Sequence, residues 1–439
     1  MARNLTDANQ STRRTRDGNV YNGPDKNDTR PLAVYLLDLW SFVPYYMAHL
    51  CNALRNESVD AKLGSVRYHL DRNYFGKKGI EADSRLLDFG GGLRSPYLRR
   101  IVKAFEYVFN LFVLAFRLPT SGLDILHVQF LPFLARGFRF EIQFLKWIRS
   151  RGTRIVYTVH NLADRDSREA SKPLYEELYK LADAVICHGR EAREKLFHDF
   201  RIAEEKLWVI PHGPLFWERP VESKEDCRVM LGLPVDEVLV LCGGVISPYK
   251  GIPFLLDAWK RRSQSNGKSR LLIVGTGDTG LLEQIRTKVE VEGLTSSVSL
   301  WLRFIAVEEL PLLYEAADIL VYPYKACTTS GALLTGLNYG KAMITTKLPI
   351  FREILREDVE AEMVEYGDIN GLARTLTELI SSPDKRERLA SGAAGRSGKA
   401  DSWQKIAGET IECYRTALEQ IERHVESNHP VSEHSNSIR

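Results

Sequence analysis

Residues 317–355 read ADILVYPYKACTTSGALLTGLNYGKAMITTKLPIFREIL, and this stretch decides the fold. The apolar run Ile319–Tyr322 predicts a buried strand. Ala332–Tyr339 predicts a helix that ends at Gly340, because glycine tolerates the positive φ of a helix C-terminus. Ala342–Thr346 predicts the next strand. A strand, a polar loop, a helix and a second strand in this order are typical of a parallel α/β sheet.

The predicted helix is preceded by Thr329, Ser330 and Gly331, which place hydroxyl groups and a glycine at its N-terminus. The first turn of a helix has unpaired N–H groups and the positive end of the helix dipole, so it favours a bound anion such as a phosphate. An N-cap without any ligand is the commoner role of such residues. The stretch alone leaves both interpretations open.

Length and composition indicate a globular protein of two domains. The chain has 439 residues, of which 44% are hydrophobic and 27% charged. This length exceeds what one hydrophobic core usually supports. The net charge of +3 predicts no nucleic-acid partner. The six cysteines form no CxxC pair and most lie in apolar segments, which predicts buried thiols in a reducing, cytoplasmic environment.

Both ends of the chain are polar. Residues 1–30 contain almost no large apolar side chain and predict a disordered tail, and residues 426–439 predict a second one. We expect no secretory signal, because no apolar segment follows the polar start. No uninterrupted apolar run reaches the length that crosses a bilayer.

Apolar runs in the first half predict parallel strands separated by helices: Leu32–Leu37, Ile125–Gln129 and Arg154–Val159. Ligands of such sheets bind beyond the carboxyl ends of the strands. His160 and Asn161 directly follow the third run, so they are candidates for the crevice. A histidine that only caps a strand end by hydrogen bonding is an equally good interpretation of His160.

The segment 94–117 combines basic and apolar residues. An apolar, aromatic run over 105–116 is preceded by four basic residues: Arg94, Arg99, Arg100 and Lys103. A helix of this composition can lie in the interface of an anionic membrane. A helix that covers the sheet, with solvated arginines at its ends, is the alternative and the commoner arrangement. The sequence therefore leaves open a peripheral contact with the inner face of the membrane.

Glycine-rich loops follow strands in the second half. The loop 243–251 reads GGVISPYKG, and the apolar run Leu271–Val274 ends at Gly275. Together with the loop of the first stretch, three such turns in one domain favour a phosphate site, near Gly244 and Gly275, more strongly than one GxG turn does. Lys250 is the cation best placed to meet the phosphate, although a solvated surface lysine is the commoner case.

Six short motifs recur in the order and spacing of a known family. They are TVHN at 158–161, VIPHG at 209–213, SPYKG at 247–251, LLIVGTG at 271–277, ELPLLYEAADILVYPY at 309–324 and SGALLTGLNYGKAMITT at 330–346. With these motifs the chain resembles the family 4 retaining glycosyltransferases over nearly all of 31–425. The resemblance implies the α/β fold called GT-B, in which two Rossmann-like domains with parallel sheets face each other across a cleft.

The resemblance also implies the domain limits and the substrates. We expect an acceptor-binding domain over 31–212, a nucleotide-sugar-binding domain over 213–400 and a helix over 401–425 that returns to the first domain. The implied co-substrate is a nucleotide-diphosphate sugar, with neither metal nor cofactor. The acceptor is a saccharide or a lipid-linked molecule of surface polysaccharide or glycolipid synthesis.

Residue roles are carried over from the matched motifs. His160 and Lys250 are the implied catalytic residues, at the transferred sugar and at the donor diphosphate. The other expected donor contacts are Gly244, Gly275, Ser330, Gly331, Ala332, Thr335 and Glu353, and the expected acceptor contacts are Tyr45, His127 and Asn161. For Glu353, a solvent-facing glutamate at a helix N-terminus is an equally good interpretation. No protein nucleophile is evident, so the resemblance implies front-face attack, in which the departing phosphate oxygen takes the acceptor's proton.

Several positions depart from the family pattern. Val245 stands where an arginine is usual, and Cys327 and Thr335 stand where two glutamates are usual. Ser41-Phe42 replaces the paired glycines that often follow the first strand. A branch with a serine-glycine loop looks like this, so transfer is the leading hypothesis. The rivals are a catalytically degenerate sugar-binding or scaffold protein and another GT-B enzyme, such as a phosphorylase or an epimerase.

Overall fold

The structure is a computed structural model that describes residues 30–93, 95–162, 171–262, 268–396 and 403–427. Within these ranges the chain forms two six-stranded sheets, and the strand pairs of both are parallel. Arg94, the expected domain limit at 400–401 and most of the two predicted tails lie outside the described residues. None of the described helices is both long and apolar enough to cross a membrane.

The N-terminal sheet has the strand order β2-β1-β3-β4-β5-β6. Its strands are β1 Ala33–Asp38, β2 Asp60–Ser65, β3 Ile125–Val128, β4 Arg154–Val159, β5 Ala184–Cys187 and β6 Leu207–Val209. The α-helices described between them are α1 Pro44–Asn56, α2 Tyr74–Lys77, α3 Pro96–Arg117, α4 Phe140–Ser150, α5 Lys172–Leu181 and α6 Arg190–His198.

The C-terminal sheet has the strand order β12-β11-β10-β7-β8-β9. Its strands are β7 Val238–Gly243, β8 Ser269–Val274, β9 Val298–Trp301, β10 Ile319–Tyr322, β11 Ala342–Thr346 and β12 Ala361–Val364. Its helices are α7 Lys224–Met230, α8 Ile252–Arg261, α9 Thr279–Val291, α10 Leu310–Ala316, α11 Gly331–Asn338, α12 Pro349–Ile354, α13 Ile369–Ser381 and α14 Pro383–Arg396.

The central strands read as continuous apolar runs because both faces of each sheet are covered. All residues of β3, β4, β5, β10 and β11 are buried. The bounds predicted for β4, β10 and β11 from their apolar runs agree with the structure. Gly340 follows α11 with φ of 60°, the left-handed conformation that its place at a helix end predicted.

Each sheet has a point where the chain reverses its direction of travel across the strands. In the C-terminal sheet this point lies between β7 and β10, and in the N-terminal sheet it lies between β1 and β3. At such a point the loops after two neighbouring strands diverge and leave a crevice, which is where open α/β sheets bind ligands. The topology therefore places one ligand crevice in each domain.

The last helix, α15 Trp403–Ser427, returns to the N-terminal domain. It packs on α1, β4 and β5, and its apolar face, which includes Trp403, Ile406 and Tyr414, joins the core under the first sheet. This confirms the predicted return of the chain. Tyr414 Oη lies 2.7 Å from His127 Nδ1 on β3, with both residues fully buried.

We expect Tyr414→Phe to reduce the free energy of unfolding by about 1–3 kcal/mol, because His127 Nδ1 then stays buried without its partner. Urea denaturation followed by tryptophan fluorescence measures the change. Tyr366→Phe is the matched control, since Tyr366 is 40% exposed. Equal stabilities of the two variants would contradict a structural role for this bond.

Candidate active site

A cavity of about 370 Å³ lies between the two sheets. The N-terminal domain lines it with the segment 42–46, at the start of α1, and with Tyr68. The C-terminal domain lines it with the loops after β7 and β8, with α10 and with the first turns of α11. The predicted residues that reach its wall are Tyr45, Gly244, Lys250, Gly275, Ala332 and Thr335.

The loops of the C-terminal domain are held together by direct backbone packing. Gly275 has φ of 141°, and a Cβ there would lie 1.9 Å from the carbonyl oxygen of Gly244. Gly251 has φ of 68°, and a Cβ there would lie 1.9 Å from the carbonyl oxygen of Pro323. Only glycine fits either position, so these residues fix the loops after β7, β8 and β10 against one another.

Lys250 is buried on the C-terminal side of the cavity, with 8% of its surface exposed. Its Nζ donates a hydrogen bond to Tyr324 Oη and lies 4.1 Å from the centre of the Tyr324 ring. The same Nζ is 3.4 Å from the point that a Cβ on Gly244 would occupy. The ammonium group is therefore placed beside the glycine loop, where a bound anion would meet both the charge and the backbone.

The N-terminus of α11 lies next to this lysine. Ser330 is the N-cap, and its Oγ accepts the Leu333 N–H at 3.2 Å and lies 3.4 Å from Tyr324 Oη. The hydroxyl of Tyr324 thus connects Lys250 to the helix N-terminus. Of the first turn, only Ala332 lines the cavity. Gly331 instead packs closely against Leu215 in the connection between the domains, where a Cβ on Gly331 would lie 2.6 Å from the Leu215 side chain.

Thr335 lines the cavity and also hydrogen-bonds to the chain. Its Oγ1 accepts the backbone N–H groups of Leu215 and Phe216 at 3.3 and 3.4 Å. Thr335 therefore anchors the connection between the domains to α11. Its expected contact with a ribose stays a proposal, and it would have to be made alongside these two hydrogen bonds.

Glu353 lies outside this cavity. Its carboxylate accepts the N–H groups of Arg190 and Glu191 at 3.0–3.3 Å, at the N-terminus of α6 in the other domain. A carboxylate suits the positive end of a helix dipole. Glu353 is exposed, as a solvent-facing glutamate would be, and it also caps a helix of the other domain. Its expected contact with the donor sugar stays a prediction.

His160 is 7% exposed and stands behind the cavity wall. Its Nε2 is 2.8 Å from Gln129 Oε1, and its ring contacts Tyr46, which does line the cavity. Thr328 Oγ1 donates to the His160 carbonyl at 2.6 Å, a contact between the two domains. Asn161 is half-buried and does not line the cavity. A sugar would reach His160 only after Tyr46 moves.

The two other acceptor candidates, Tyr45 and His127, lie in different environments. Tyr45 lines the cavity and packs its ring against Tyr74 and Phe216, at 4.7 and 5.0 Å between centres. His127 is fully buried, and its ring nitrogens lie 2.7 Å from Tyr414 Oη and 2.6 Å from Thr158 Oγ1. His127 is a core residue in this structure, so we do not retain it as an acceptor contact.

The cavity also contains residues that motif reasoning missed. Phe304 and Ile305, after β9, and Tyr314, on α10, also line the wall. Val245, which replaces the usual arginine, lines the same cavity and is 61% exposed. The sequence could have indicated these residues only by their position, since each follows a strand or faces the connection between domains. None is charged or a glycine, so motif reasoning did not select them.

Metal ligation finds no support in the geometry. Among the described residues, no group of three or more His, Cys, Asp or Glu side chains is arranged to hold a metal ion. All six cysteines lie in the described part of the chain, where each is buried with a free thiol. Burial raises the pKa of Cys242, beside the lysine loop, to about 11, so this thiol is neutral at physiological pH.

Two facing parallel sheets with a ligand-sized cavity between them define a GT-B glycosyltransferase architecture. Solved structures of this type resemble the chain. A glycosyltransferase from Rickettsia africae has a TM-score of 0.69 at 15% identity, with 89% of this chain and 99% of that chain covered. Sucrose-phosphate synthase from Thermosynechococcus elongatus has a TM-score of 0.68 at 18% identity, with 89% and 100% covered. HepE of Anabaena with UDP-glucose has a TM-score of 0.64 at 16% identity, with 90% and 100% covered.

Sequence comparisons identify the family. A family model described as Glycosyltransferase Family 4 matches residues 45–213, and one described as Glycosyl transferases group 1 matches residues 236–382. Together these models cover most of the chain, which therefore belongs to the family 4 glycosyltransferases with the GT-B fold.

Curated relatives match a smaller part of the chain. An uncharacterised glycosyltransferase of Methanocaldococcus jannaschii is 26% identical over 54% of this chain and 61% of its own length. The MMP alpha-(1->4)-mannosyltransferase of Mycolicibacterium hassiacum is 23% identical over 62% of this chain and 68% of its own length. The matched region thus spans between six and seven tenths of these relatives.

Five of the described histidines are buried, and burial is the main cause that lowers the pKa of each below 6.5. The pKa falls to about 4 for His49 and His188, to about 3 for His127 and His212, and well below its usual value for His160. The folded protein therefore keeps these rings neutral at pH values where an unfolded chain would protonate them.

We expect the thermal midpoint to fall between about pH 7 and pH 5, because the unfolded chain binds more protons than the folded one below about 6.5. Asp38 and Glu141 act in the opposite sense, since burial raises their pKa to about 6 and about 7, but they are fewer. His49→Gln should make the free energy of unfolding less dependent on pH, by on the order of 1 kcal/mol per pH unit, and exposed His198→Gln should not. A midpoint independent of pH in this range would contradict the assignment.

Proposed function

We propose that the protein is a retaining glycosyltransferase that moves a hexose from a nucleotide-diphosphate sugar to a saccharide or lipid-linked acceptor in surface polysaccharide or glycolipid synthesis. One observation carries the proposal. Lys250, the Gly244 and Gly275 loops and the first turn of α11 border a single cavity at the crevice of the C-terminal sheet. A cation, close backbone and a helix N-terminus are the three features that bind a diphosphate.

In the proposed complex, the diphosphate lies beside Lys250 and the glycine loops. The nucleoside lies toward Phe304, Ile305 and Tyr314, whose apolar surfaces suit a planar base. The sugar lies toward Tyr46 and the domain seam. This orientation places the bond that breaks between the two domains, where an acceptor held by the N-terminal domain can reach it.

The proposed chemistry uses positive charge rather than a protein nucleophile. As the bond from the sugar to the diphosphate breaks, negative charge grows on the leaving phosphate, and Lys250 together with the α11 N-terminus stabilises that charge. The phosphate oxygen that leaves accepts the proton of the attacking acceptor hydroxyl on the same face, which retains the configuration. His160, held neutral by burial, orients the sugar through Tyr46 or by direct contact once Tyr46 moves. The reaction as proposed needs no metal.

We expect Lys250→Ala to weaken the binding of nucleoside diphosphates about ten- to hundredfold, because one charge-assisted contact contributes about 1.5–3 kcal/mol. A thermal-shift panel of nucleoside diphosphates measures the binding, and release of the diphosphate in the presence of acceptors measures transfer. Lys268→Ala is the matched control, since Lys268 is exposed and precedes β8 at the opposite end of the strand from Gly275.

The same experiment separates the rival functions. If nucleoside diphosphates bind but no combination of donor and acceptor gives turnover, a sugar-binding or scaffold role replaces transfer. If no nucleoside diphosphate shifts the midpoint and Lys250→Ala changes nothing, the diphosphate site itself is wrong. Diphosphate release that does not depend on an acceptor would favour another GT-B enzyme.

Helix α3 has one face packed on the core and one face open. Its packed face carries the buried residues Tyr107, Leu111 and Leu114. The opposite face carries large apolar side chains at three- and four-residue spacing that are 39–76% exposed, namely Tyr97, Ile101, Phe105, Phe109, Phe112 and Phe116. We call this surface the α3 outer face. Neither expectation for the segment was complete, because the helix both covers the sheet and exposes an aromatic surface.

We propose that the α3 outer face lies in the interface of an anionic bilayer. An aromatic surface of this extent is more typical of a membrane or partner contact than of a solvated helix. Arg99 and Arg100 lie at its N-terminal end, and Arg151 stacks on Trp147 of the neighbouring α4 with its guanidinium carbon 4.0 Å from the ring centre. Cations on the flanks of an apolar face complement anionic headgroups.

We expect Phe105→Glu with Phe112→Glu to reduce binding to vesicles of phosphatidylcholine and phosphatidylglycerol by at least about tenfold, since each phenylalanine contributes on the order of 1 kcal/mol. Co-sedimentation measures the bound fraction. Met230→Glu with Val291→Glu, at exposed apolar positions of the other domain, is the matched control. Unchanged binding of the α3 variant would mean that this face contacts something other than lipid.

A further inference from the structure

A second cavity, of about 770 Å³, lies at the beginning of α3. Trp40 and Phe42, which follow β1, and Phe133, which follows β3, line its floor. It therefore occupies the crevice at the reversal point of the N-terminal sheet, the place where this topology binds ligands. We call it the cationic pocket, because its other walls carry Arg99, Arg100, Lys103 and Arg136.

The cations of the cationic pocket have no ion-pair partner within the described chain. No carboxylate lines it, and none of its four cations forms an ion pair with a described residue. Three carboxylates, Asp38, Asp88 and Glu106, are near enough to raise the pKa of Lys103, but none of these described side chains forms an ion pair with it. Their hydrogen bonds are to other groups: Asp38 accepts the Val43 N–H, Asp88 pairs with Arg67, and Glu106 accepts the N–H groups of Phe89 and Gly90.

Two of the cations are partly dehydrated. Lys103 is only 7% exposed, its Nζ donates to the Trp40 carbonyl at 3.1 Å, and burial is the largest influence that lowers its pKa. Arg99 Nε is buried without a hydrogen-bond partner. Burying cationic groups without an ion-pair partner is unfavourable, so the arrangement favours a bound anion that would offset this cost.

The cationic pocket adjoins both the donor cavity and the α3 outer face. Phe42 lines the cationic pocket and the donor cavity, and Tyr68 and His69, consecutive in the chain, line one cavity each. Ile101 lines the cationic pocket and belongs to the exposed apolar face. One molecule could thus place an anionic group in the pocket, an apolar chain along α3 and a hydroxyl near the donor sugar.

We propose that the cationic pocket binds the phosphate or diphosphate group of a lipid-linked acceptor and so orients the acceptor hydroxyl toward the donor cavity. The orienting role rests on the proposed glycosyl transfer, whereas the binding site itself does not. Aromatic walls and four cations suit a phosphate attached to an apolar chain better than a neutral saccharide. In this arrangement Arg99, Arg100 and Lys103 are binding and positioning residues that do not touch the bond that breaks.

The test uses farnesyl diphosphate as the probe and Lys250→Ala as the background, so that the donor diphosphate site contributes little. Isothermal titration measures its affinity. We expect Arg99→Gln with Arg100→Gln to weaken binding about tenfold or more, because two charge-assisted contacts are lost. Arg99→Lys with Arg100→Lys should retain most of the affinity. The matched control is Arg374→Gln with Arg388→Gln, two exposed arginines of the C-terminal domain.

Two further probes identify the source of the anion. Farnesol should not bind, and inorganic diphosphate should bind more weakly than farnesyl diphosphate. Equal affinity for inorganic and farnesyl diphosphate would overturn the lipid-linked acceptor, and farnesyl diphosphate binding unaffected by the Gln substitutions would overturn the pocket.

A separate measurement tests the proposed function independently of the cationic pocket. Nucleoside diphosphates should bind the Arg99→Gln, Arg100→Gln chain as they bind the unaltered chain. If they bind neither, the donor site is wrong, while the farnesyl diphosphate measurement still decides the cationic pocket.

Discussion

The candidate active site depends on the contact between two backbones, that of Gly275 and that of Gly244. Because the Gly275 Cα has no side chain, the loops after β7 and β8 meet at a separation that any Cβ would prevent. Gly251 allows the same approach to the loop after β10. Lys250 stands between these two glycine contacts, so its ammonium group is fixed beside the loop that borders the cavity rather than left to sample solvent.

Burying Lys250 removes water from its ammonium group, and the surrounding residues offset this cost. The Tyr324 hydroxyl accepts from Nζ, and its ring lies close enough for a cation–π interaction. Tyr324 also lies at hydrogen-bond distance from the N-cap of α11, so lysine and helix N-terminus form one electropositive group. The cationic pocket of the other domain repeats this principle with a buried Lys103 and a buried Arg99 Nε. A partly dehydrated cation gains most from an anion, because the dehydration cost is already met in the folded state.

The sequence predicts the interior of each sheet better than its edges. Strands β4, β10 and β11 are buried on both faces, so their apolar runs mark them. Apolar runs did not predict β2, β9 and β12, which are edge strands. Exposed or half-buried residues interrupt them, as in the alternating start of β2. A strand that is buried on both faces can be predicted from its apolar run, whereas an edge strand is not buried in this way.

The sequence predicts the site less completely, since its contacts join distant residues. Gly244, Lys250 and Gly275 follow strands, and a strand end is visible in the sequence. Thr335 instead bonds the N–H of Leu215, and Glu353 caps a helix of the other domain, pairings that depend on how the domains meet. A spacing pattern cannot express such a contact, so motif reasoning did not predict these partners within the chain. The exposed face of α3 was equally undetermined, because its apolar residues are the same whether a bilayer or a core covers them.

The two proposed cationic sites lie on opposite sides of one aromatic wall. This arrangement would keep apart two anions that a single site would bring together. A diphosphate donor and a phosphate-bearing acceptor repel each other, and repulsion between like charges increases as water is excluded. Trp40, Phe42 and Phe130 pack ring against ring and lead to His160, so the wall separates the charges while its edge leaves room for a neutral hydroxyl. In the proposed complex each anion would meet its own cations, and only the uncharged reacting groups would need to approach. The reversal points of the two sheets place these sites, which makes the strand order the origin of the arrangement.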